Sequence, residues 1–553
     1  MILTKLVSSL EKCFLDTRIE ELEAFCGFSM LKNERLSFQL IYTADTEEEN
    51  YNIRLKVTLG GALAPYATVR TVGLVPVTMP CYGDAPDDNY LRTEPGLYPD
   101  VLLPMHYHGA VTAQKGLSRA LWIDLEPGEA LPAGEHTLTV TLTDNDGNTR
   151  AEETFTATIL NATLPKSELI FTEWFHCDSL ANYYGCEAWS EKHWRIIESF
   201  ARTAAKNGIN LLLTPVHTPP LDTEIGGERL TVQLVDVTLT NGAYSFGFDR
   251  LDRWIDMCDR VGIKYFEVAH FFTQWGALHA PKIMATVDGV YKKIFGWETD
   301  ATGEEYKKYL HAFIPAFLAH MKARGRDKDC FFHISDEPNK TQLDSYRSAK
   351  QIVAPLLEGY VIMDALSNFE YWKEGIVETP IPANNHIEPF IEDKVPGLWT
   401  YYCCSQQKDV SNRFIAMPLW RTRSIGMQFY KYDIAGFLHW GYNHYNNCHS
   451  IDQIDPYLEQ SGEGWVPAGD THSVYPAQDG TALESIRILS FTEALQDLSA
   501  MKLAASVCGK DALVATLEEA FGKEIRFDEC AKDAKTLLTI RARVNQIIKD
   551  AIR

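Results

Sequence analysis

"DCFFHISDEP", Asp329 to Pro338, decides how the rest of the chain is read. Phe331, Phe332 and Ile334 form the apolar run of a buried strand, and Pro338 with Asn339 stops it. Two adjacent carboxylates, Asp336 and Glu337, then stand where a buried strand ends. Asp-Glu-Pro by itself is an ordinary polar turn. It becomes a catalytic pair only if other strands end on the same face and carry related chemistry.

Working outward, the same rhythm recurs. "LIFTEWFHCD", "INLLLTPVHTPP" and "IKYFEVAHF" precede this strand, and "GYVIMDALS", "ETPIPANNH", "GLWTYYCCS" and "AGFLHWGYN" follow it. Helical segments such as "SEKHWRIIESFARTAAKNG" and "DRLDRWIDMCDRVG" lie between most of them, and "TVQLVDVTLTNGAYSFGF" reads as a hairpin excursion. Eight strands alternating with helices predict a (β/α)8 TIM-like barrel over residues 166–501. An open doubly wound sheet is the alternative, but no GxGxxG follows any strand. The helix "SIRILSFTEALQDLSAM" closes the barrel, with Ile488, Phe491, Leu495 and Leu498 at helical spacing.

Residues 1–165 read differently. "RLSFQLIYTA", "YNIRLKVTL", "RALWIDLEP", "HTLTVTLTD" and "EETFTATIL" are short alternating strands without helices between them, which predicts a β-sandwich. Asp146-Gly147 in "DNDGN" reads as a hairpin turn rather than a calcium loop, whose terminal Glu is missing. Residues 502–553 are rich in Ala, Lys and Leu and read as a helical tail. The expected fold is multidomain α/β plus β: sandwich, barrel, helical tail.

The chain has 553 residues, 45% hydrophobic and 23% charged, with a net charge of −23. That balance excludes nucleic acid and anionic membranes as partners, because neutralising phosphates needs clustered Lys and Arg. Residues 1–25 lack the long apolar core of a signal peptide, and no stretch approaches a membrane span. The twelve cysteines form no CxxC pair, which suits reduced thiols and a cytoplasmic location. No HExxH, phosphate loop or dinucleotide motif occurs, so no cofactor and no metal are expected. His106 and His108 ("HYH") lack a third ligand. Composition leaves the oligomeric state open.

The strand ends carry the chemistry that gives Asp336 and Glu337 meaning. They place Trp174, His176, His217, His270, Asp364, Asn384, Asn385, His386, Trp399, Tyr401, Tyr402, His439, Trp440, Tyr442 and Asn443 on the active-site end of the barrel. Aromatic faces stack on the apolar face of a sugar ring, while Asn, His and carboxylates meet its hydroxyls. Trp174, His176, His270, Asn385, Tyr401, Tyr402, Trp440 and Asn443 are the candidate substrate-binding residues. On "GFLHWGYNHYN" an extended run from Gly436 to Asn443 would put Leu438, Trp440 and Tyr442 on one face. Trp440 is then a candidate floor for the sugar, or else upper barrel core.

"EWFHCDSLANYYG", "FFHISDEP", "GFLHWGYNHYN" and "GDTHSVYPAQDGTALESIRI" resemble glycoside hydrolase family 123 and its relatives in the DUF4091 group. The resemblance implies a retaining β-N-acetylgalactosaminidase in which the substrate's 2-acetamido group is the nucleophile. It implies that Glu337 is the general acid and later the base, and that Asp336 holds the acetamido N–H. An exo-acting enzyme on small oligosaccharides or glycosides is the expected role. Two rivals stay open. A non-catalytic glycan-binding protein could use the same cleft. A glycosidase acting on a sugar without an acetamido group would need a second carboxylate, with Asp178, Asp364 and Glu388 as candidates.

Overall fold

The structure, a computed structural model, describes residues 1–45, 51–84, 86–105, 109–338 and 340–552. His106 and His108 lie outside the described residues. Eight parallel strands occupy the positions expected from sequence. They are β1 (Ile170–Glu173), β2 (Leu211–Thr214), β3 (Tyr265–Val268), β4 (Cys330–Phe332), β5 (Val361–Ala365), β6 (Thr379–Ile381), β7 (Trp399–Tyr401) and β8 (Gly436–His439).

They form two sheets rather than one uninterrupted ladder. β2-β3-β4-β5-β6 make the larger sheet, and β1-β8-β7 the smaller. The first seam lies between β1 and β2, where Asn210 N donates to Phe171 O and Phe171 N donates to the Asn210 side chain. At the second, Tyr401 N donates to Pro382 O and Asn384 N to Tyr401 O. The expectation of one closed sheet fails there for a local reason: Pro380 and Pro382 have no N–H to give to β7.

Side-chain alternation divides each strand between two cores. Leu211, Leu213, Phe331, Met363, Trp399 and Leu438 pack together on the inside. Phe171, Leu212, Phe266, Phe332, Ile362 and Phe437 point outward into the helices. Both faces are buried, as parallel strands require. The Ile486–Cys508 helix starts on a Ser485 cap that accepts from Ile488 N at 3.2 Å. Two further helices, Lys510–Phe521 and Ala534–Ala551, pack against it.

The N-terminal region is two five-stranded sheets. In Gly134–Thr143, Leu138, Val140 and Leu142 are buried while the intervening threonines are not. By contrast, all nine residues of Leu36–Ala44 are buried. Its sheet is a middle layer: Phe38 and Leu40 face the second sheet, while Ile41 joins the core shared with the helices that flank the parallel strands. The 144–148 turn is the expected hairpin, with the Asp144 carboxylate accepting from Asp146 N and Asn148 N. Sequence reading missed five strands here, Ile2–Ser8, Gly27–Lys32, Ala67–Val77, Gly96–Pro104 and Ala110–Gln114. It also missed a second hairpin, Ile283–Val287 with Val290–Phe295, beside the expected one at 236–247. All twelve cysteines are free thiols, and no helix among the described residues is long and apolar enough to cross a membrane.

Candidate active site

A pocket with about 680 Å³ of space between protein atoms, open solvent included, lies where the strands end. Trp174 and His176 come from β1 and its exit, Asp222 from the loop after β2, and Gln274 and Trp275 from the loop after β3. Asp336 and Glu337 follow β4. Tyr401 ends β7, Cys403 and Cys404 follow it, and Leu438, Trp440 and Trp465 belong to β8 and the long loop beyond it.

The turn after β4 explains how neighbouring carboxyls reach one pocket. In an extended strand their side chains would point to opposite faces. Here Ile334 N donates to the Asp364 carboxylate at 3.0 Å, Ser335 Oγ donates to Thr273 O at 2.8 Å, and Trp275 N donates to Asp336 O at 3.1 Å. The chain then turns at Glu337, whose φ of 41° is left-handed. A non-glycine residue pays strain for that conformation, and such strain concentrates at functional sites. Tyr401 Oη donates to Glu337 Oε1 at 2.6 Å.

Burial pushes both carboxyls up. Asp336 rises well above the ordinary carboxylate range, first by burial and then by the Glu337 charge, with the His333 charge opposing. Glu337 rises by burial and the Asp470 charge, with the Tyr401 hydrogen bond opposing. Two carboxyls in one pocket repel each other as anions, so the pair readily retains a proton.

Beneath the pair lies a buried network. His333 Nε2 meets Glu267 Oε1 at 2.8 Å, and its Nδ1 meets Asp364 Oδ1 at 3.3 Å. Burial opposes the imidazolium, but the two carboxylates outweigh it and hold His333 up at about 9. Trp174 Nε1 donates to Glu267 at 2.7 Å and Tyr346 Oη to Asp364 at 2.5 Å, so the network also fixes the pocket wall. Donor atoms of His270, His333 and Asp364 lie within 4.8 Å of one another. However, the two imidazoles stack with their planes 18° apart, so their in-plane lone pairs run side by side rather than converging on a cation.

On the opposite element, Trp440 Nε1 donates to Asp470 Oδ2 at 2.8 Å, and its ring meets Trp465 edge-on at 5.4 Å. Gly441 lets the chain pass: a Cβ there would lie 2.5 Å from Asp470 O. His176 is held neutral. Its pKa falls well below the usual value through burial and the neighbouring Arg229. Arg229 donates to its Nδ1 at 3.1 Å, so the other nitrogen is the one that donates, to Trp440 O at 3.0 Å.

Of the residues singled out by sequence, Asp336, Glu337, Trp174, His176, Tyr401 and Trp440 line this pocket. Four others do not. Asn443 is fully buried and brackets the His176 backbone, accepting from its N and donating to its O. His270 lies behind Trp174, ring edge to ring face at 5.4 Å. Tyr402 is fully buried against Phe437, on the outer side of β7. Asn385 is exposed and accepts from Gln406. Tyr442 does not share a face with Trp440, because β8 stops at His439 and Tyr442 packs on Phe175 in the outer core. None of the rival second carboxylates reaches the pocket. Asp178 is locked to Arg229, Asp364 serves His333, and Glu388 pairs with Arg526 at the surface. Sequence reading missed Asp222, Gln274, Trp275, Trp465 and Asp470. Asp470 alone had a signal, inside "GDTHS".

Residues 174–504 match the family model "Glycoside hydrolase 123, catalytic domain". A family 123 glycoside hydrolase from Clostridium perfringens, solved in a study of glycolipid glycan hydrolysis, superimposes with a TM-score of 0.75 at 14% identity, covering 100% of this chain and 99% of that one. The endo-β-1,4-mannanase of Thermotoga petrophila gives a TM-score of only 0.32 at 13% identity, covering 62% and 78%. No curated protein matches the chain.

Proposed function

The chain belongs to glycoside hydrolase family 123, and on that premise we propose that it is a retaining, exo-acting β-N-acetylhexosaminidase, with β-N-acetylgalactosaminides as its best substrates. One observation carries this reading: Asp336 and Glu337, adjacent in sequence, both enter one tryptophan-lined pocket from a left-handed turn. Ordinary retaining glycosidases need two carboxyls about 5–5.5 Å apart, on opposite sides of the reacting bond. Neighbouring residues suit a mechanism in which the sugar supplies its own nucleophile.

In that mechanism the acetamido oxygen attacks C1 while Glu337 gives its proton to the departing glycosidic oxygen. Asp336 accepts the acetamido N–H and stabilises the oxazolinium ion. Glu337 then takes a proton from the water that attacks C1 and restores the configuration. In the empty pocket both acids are pushed up. An N–H donated to Asp336 favours its charged form and leaves the shared proton on Glu337, where it is needed. Tyr401 fixes the acid's orientation, and Trp440 with Trp174 offers the sugar apolar surface.

The two parallel sheets act together as a (β/α)8 barrel over residues 166–501, following a sandwich over 1–165 and followed by a helical segment over 502–553. A terminal sugar is the substrate that fits this reading, and the free thiols suit a cytoplasmic enzyme meeting small glycosides. Matched aryl β-glycosides of GalNAc, GlcNAc and galactose test the reading. Rapid release from the N-acetylgalactosaminide and far slower release from the galactoside is expected. Equal rates on those two would sink neighbouring-group participation, and no hydrolysis of any of them would favour a glycan-binding role.

A further inference from the structure

The wall built by the loops after β2 and β3 presents acceptors that the protein itself leaves without donors. Asp222 holds a left-handed backbone, φ 40°. It is pinned there, since Ser450 Oγ donates to Asp222 O at 2.6 Å and Glu224 N donates to His449 O at 2.9 Å. The loop after β2 is thereby stitched to the loop after β8. The Asp222 Oδ2 is turned inward with His444 Nε2 at 3.2 Å, which leaves the other carboxylate oxygen for a donor from the pocket that Asp222 lines. Beside it, Gln274 spends its Nε2 on Thr223 O at 3.0 Å, which leaves a buried Oε1 with no donor. Buried acceptors are rarely left unmatched in folded proteins.

The charge of the pocket is equally one-sided. Asp222, Asp336 and Glu337 line it, and among the described residues no Lys or Arg does. The one pocket histidine, His176, is held neutral.

We propose that Asp222, supported by Gln274, receives a ring-hydroxyl proton of the terminal sugar and makes the pocket selective for a neutral sugar whose hydroxyl at that wall is free. A hydroxyl brings the missing donor. A sulfate ester or carboxylate at the same position brings only acceptors, and adds negative charge to a poorly screened, acid-lined pocket. The inference rests on the glycosidase reading of this site.

A cycle between protein variant and substrate tests it, using the full chain, Asp222→Ala and Asp222→Asn. The substrates are an aryl N-acetylgalactosaminide, its 3-, 4- and 6-deoxy forms, and the 4- and 6-O-sulfates. Loss of a charged hydrogen bond should raise KM for the parent roughly 10–100-fold in Asp222→Ala. One deoxy substrate should show the same loss with the wild-type enzyme and no further loss with the variant. The wild-type enzyme should discriminate against the sulfate at that same position, and Asp222→Ala should relax this at least about 10-fold. Melting curves confirm that the variants fold. An equal loss on every deoxy substrate, concentrated in kcat, would overturn the proposal and make Asp222 part of the chemistry. Wild-type turnover of both sulfates at the parent rate would also overturn it. If the wild-type enzyme cleaves no glycoside in the set, the glycosidase reading itself falls, and this inference with it.

Discussion

Glu337 and Glu484 are both glutamates desolvated by surrounding protein, one at the pocket surface and one fully inside, and the protein treats them in opposite ways. Glu484 lies where an N-terminal sheet meets the parallel-strand region. Arg70 pairs with it at 2.5 Å, Asn207 Nδ2 donates to it at 2.7 Å, and Arg35 stands 3.8 Å away. Burial alone would raise its pKa, but the two guanidinium groups outweigh burial and hold it at about 2. Glu337 keeps an accessible face in the pocket, with only a tyrosine hydroxyl beside it, and desolvation by the surrounding protein pushes it up. Burial therefore does not decide what a carboxyl does. A nearby arginine fixes it as a permanent anion, whereas its absence leaves a group that holds its proton to higher pH than an ordinary carboxyl.

The largest effect should come from breaking the paired region. Arg70→Met leaves Asp124 and Glu484 facing Arg35 alone, and should cost about 3–5 kcal/mol of unfolding free energy. Denaturant melts measure that loss, while kcat/KM of the folded fraction should hold. The pH dependence follows from the depressed pKa. Glu484 contributes stability that is complete above its ordinary value of 4.5 and disappears as pH falls toward 2. Wild-type stability should fall over that acid window, and the variant's should fall less.

Next is the unpaired region. Glu337→Gln and Asp336→Asn should each lower turnover by about 100-fold or more with folding intact. The loss in Glu337→Gln should shrink for substrates with good leaving groups, which need little protonation. Near wild-type rates in both variants would make the pair structural.

A smaller effect sharpens the contrast because its sign is reversed. The raised pKa of Asp336 means that its ionised form costs folding free energy, a cost absent at low pH that grows as pH rises above its ordinary 3.8. Asp336→Asn should therefore be more stable than the wild-type protein at neutral pH, by about 0.5–2 kcal/mol, and should lose that advantage near pH 3. Parallel thermal melts at both pH values check this. Smallest of all, Trp440→Phe trims stacking surface and removes the hydrogen bond to Asp470. It should weaken inhibitor binding several-fold with little change in melting temperature. A stability loss of about 1–3 kcal/mol with normal binding would place Trp440 in the core instead.

Much of this arrangement could be read from the chain. All eight parallel strands announced themselves as apolar runs punctuated by Gly, Pro and helix caps. Asp336 and Glu337 stood out because a buried strand ended in two acids. The tyrosines of β7 show where such reading fails. Tyr401 reaches the pocket and Tyr402 the outer core. Both faces of the strand are buried, so no polar-apolar alternation marks which residue points inward. Tyr442 was misplaced because the alternation was carried past His439, where the strand ends.

The sequence by itself determined the strand-helix order, the family and the acid pair, because periodicity and motif are local properties. Tertiary structure alone decided which loops meet over the pocket. Asp222, Trp275, Trp465 and Asp470 come from segments with no strand-end pattern, and are brought there by contacts such as Ser450 with Asp222. It also decided the charge each buried acid keeps. That charge depends on whether a guanidinium from a distant strand lies within a few ångströms, a matter of folded distance that spacing along the chain does not encode.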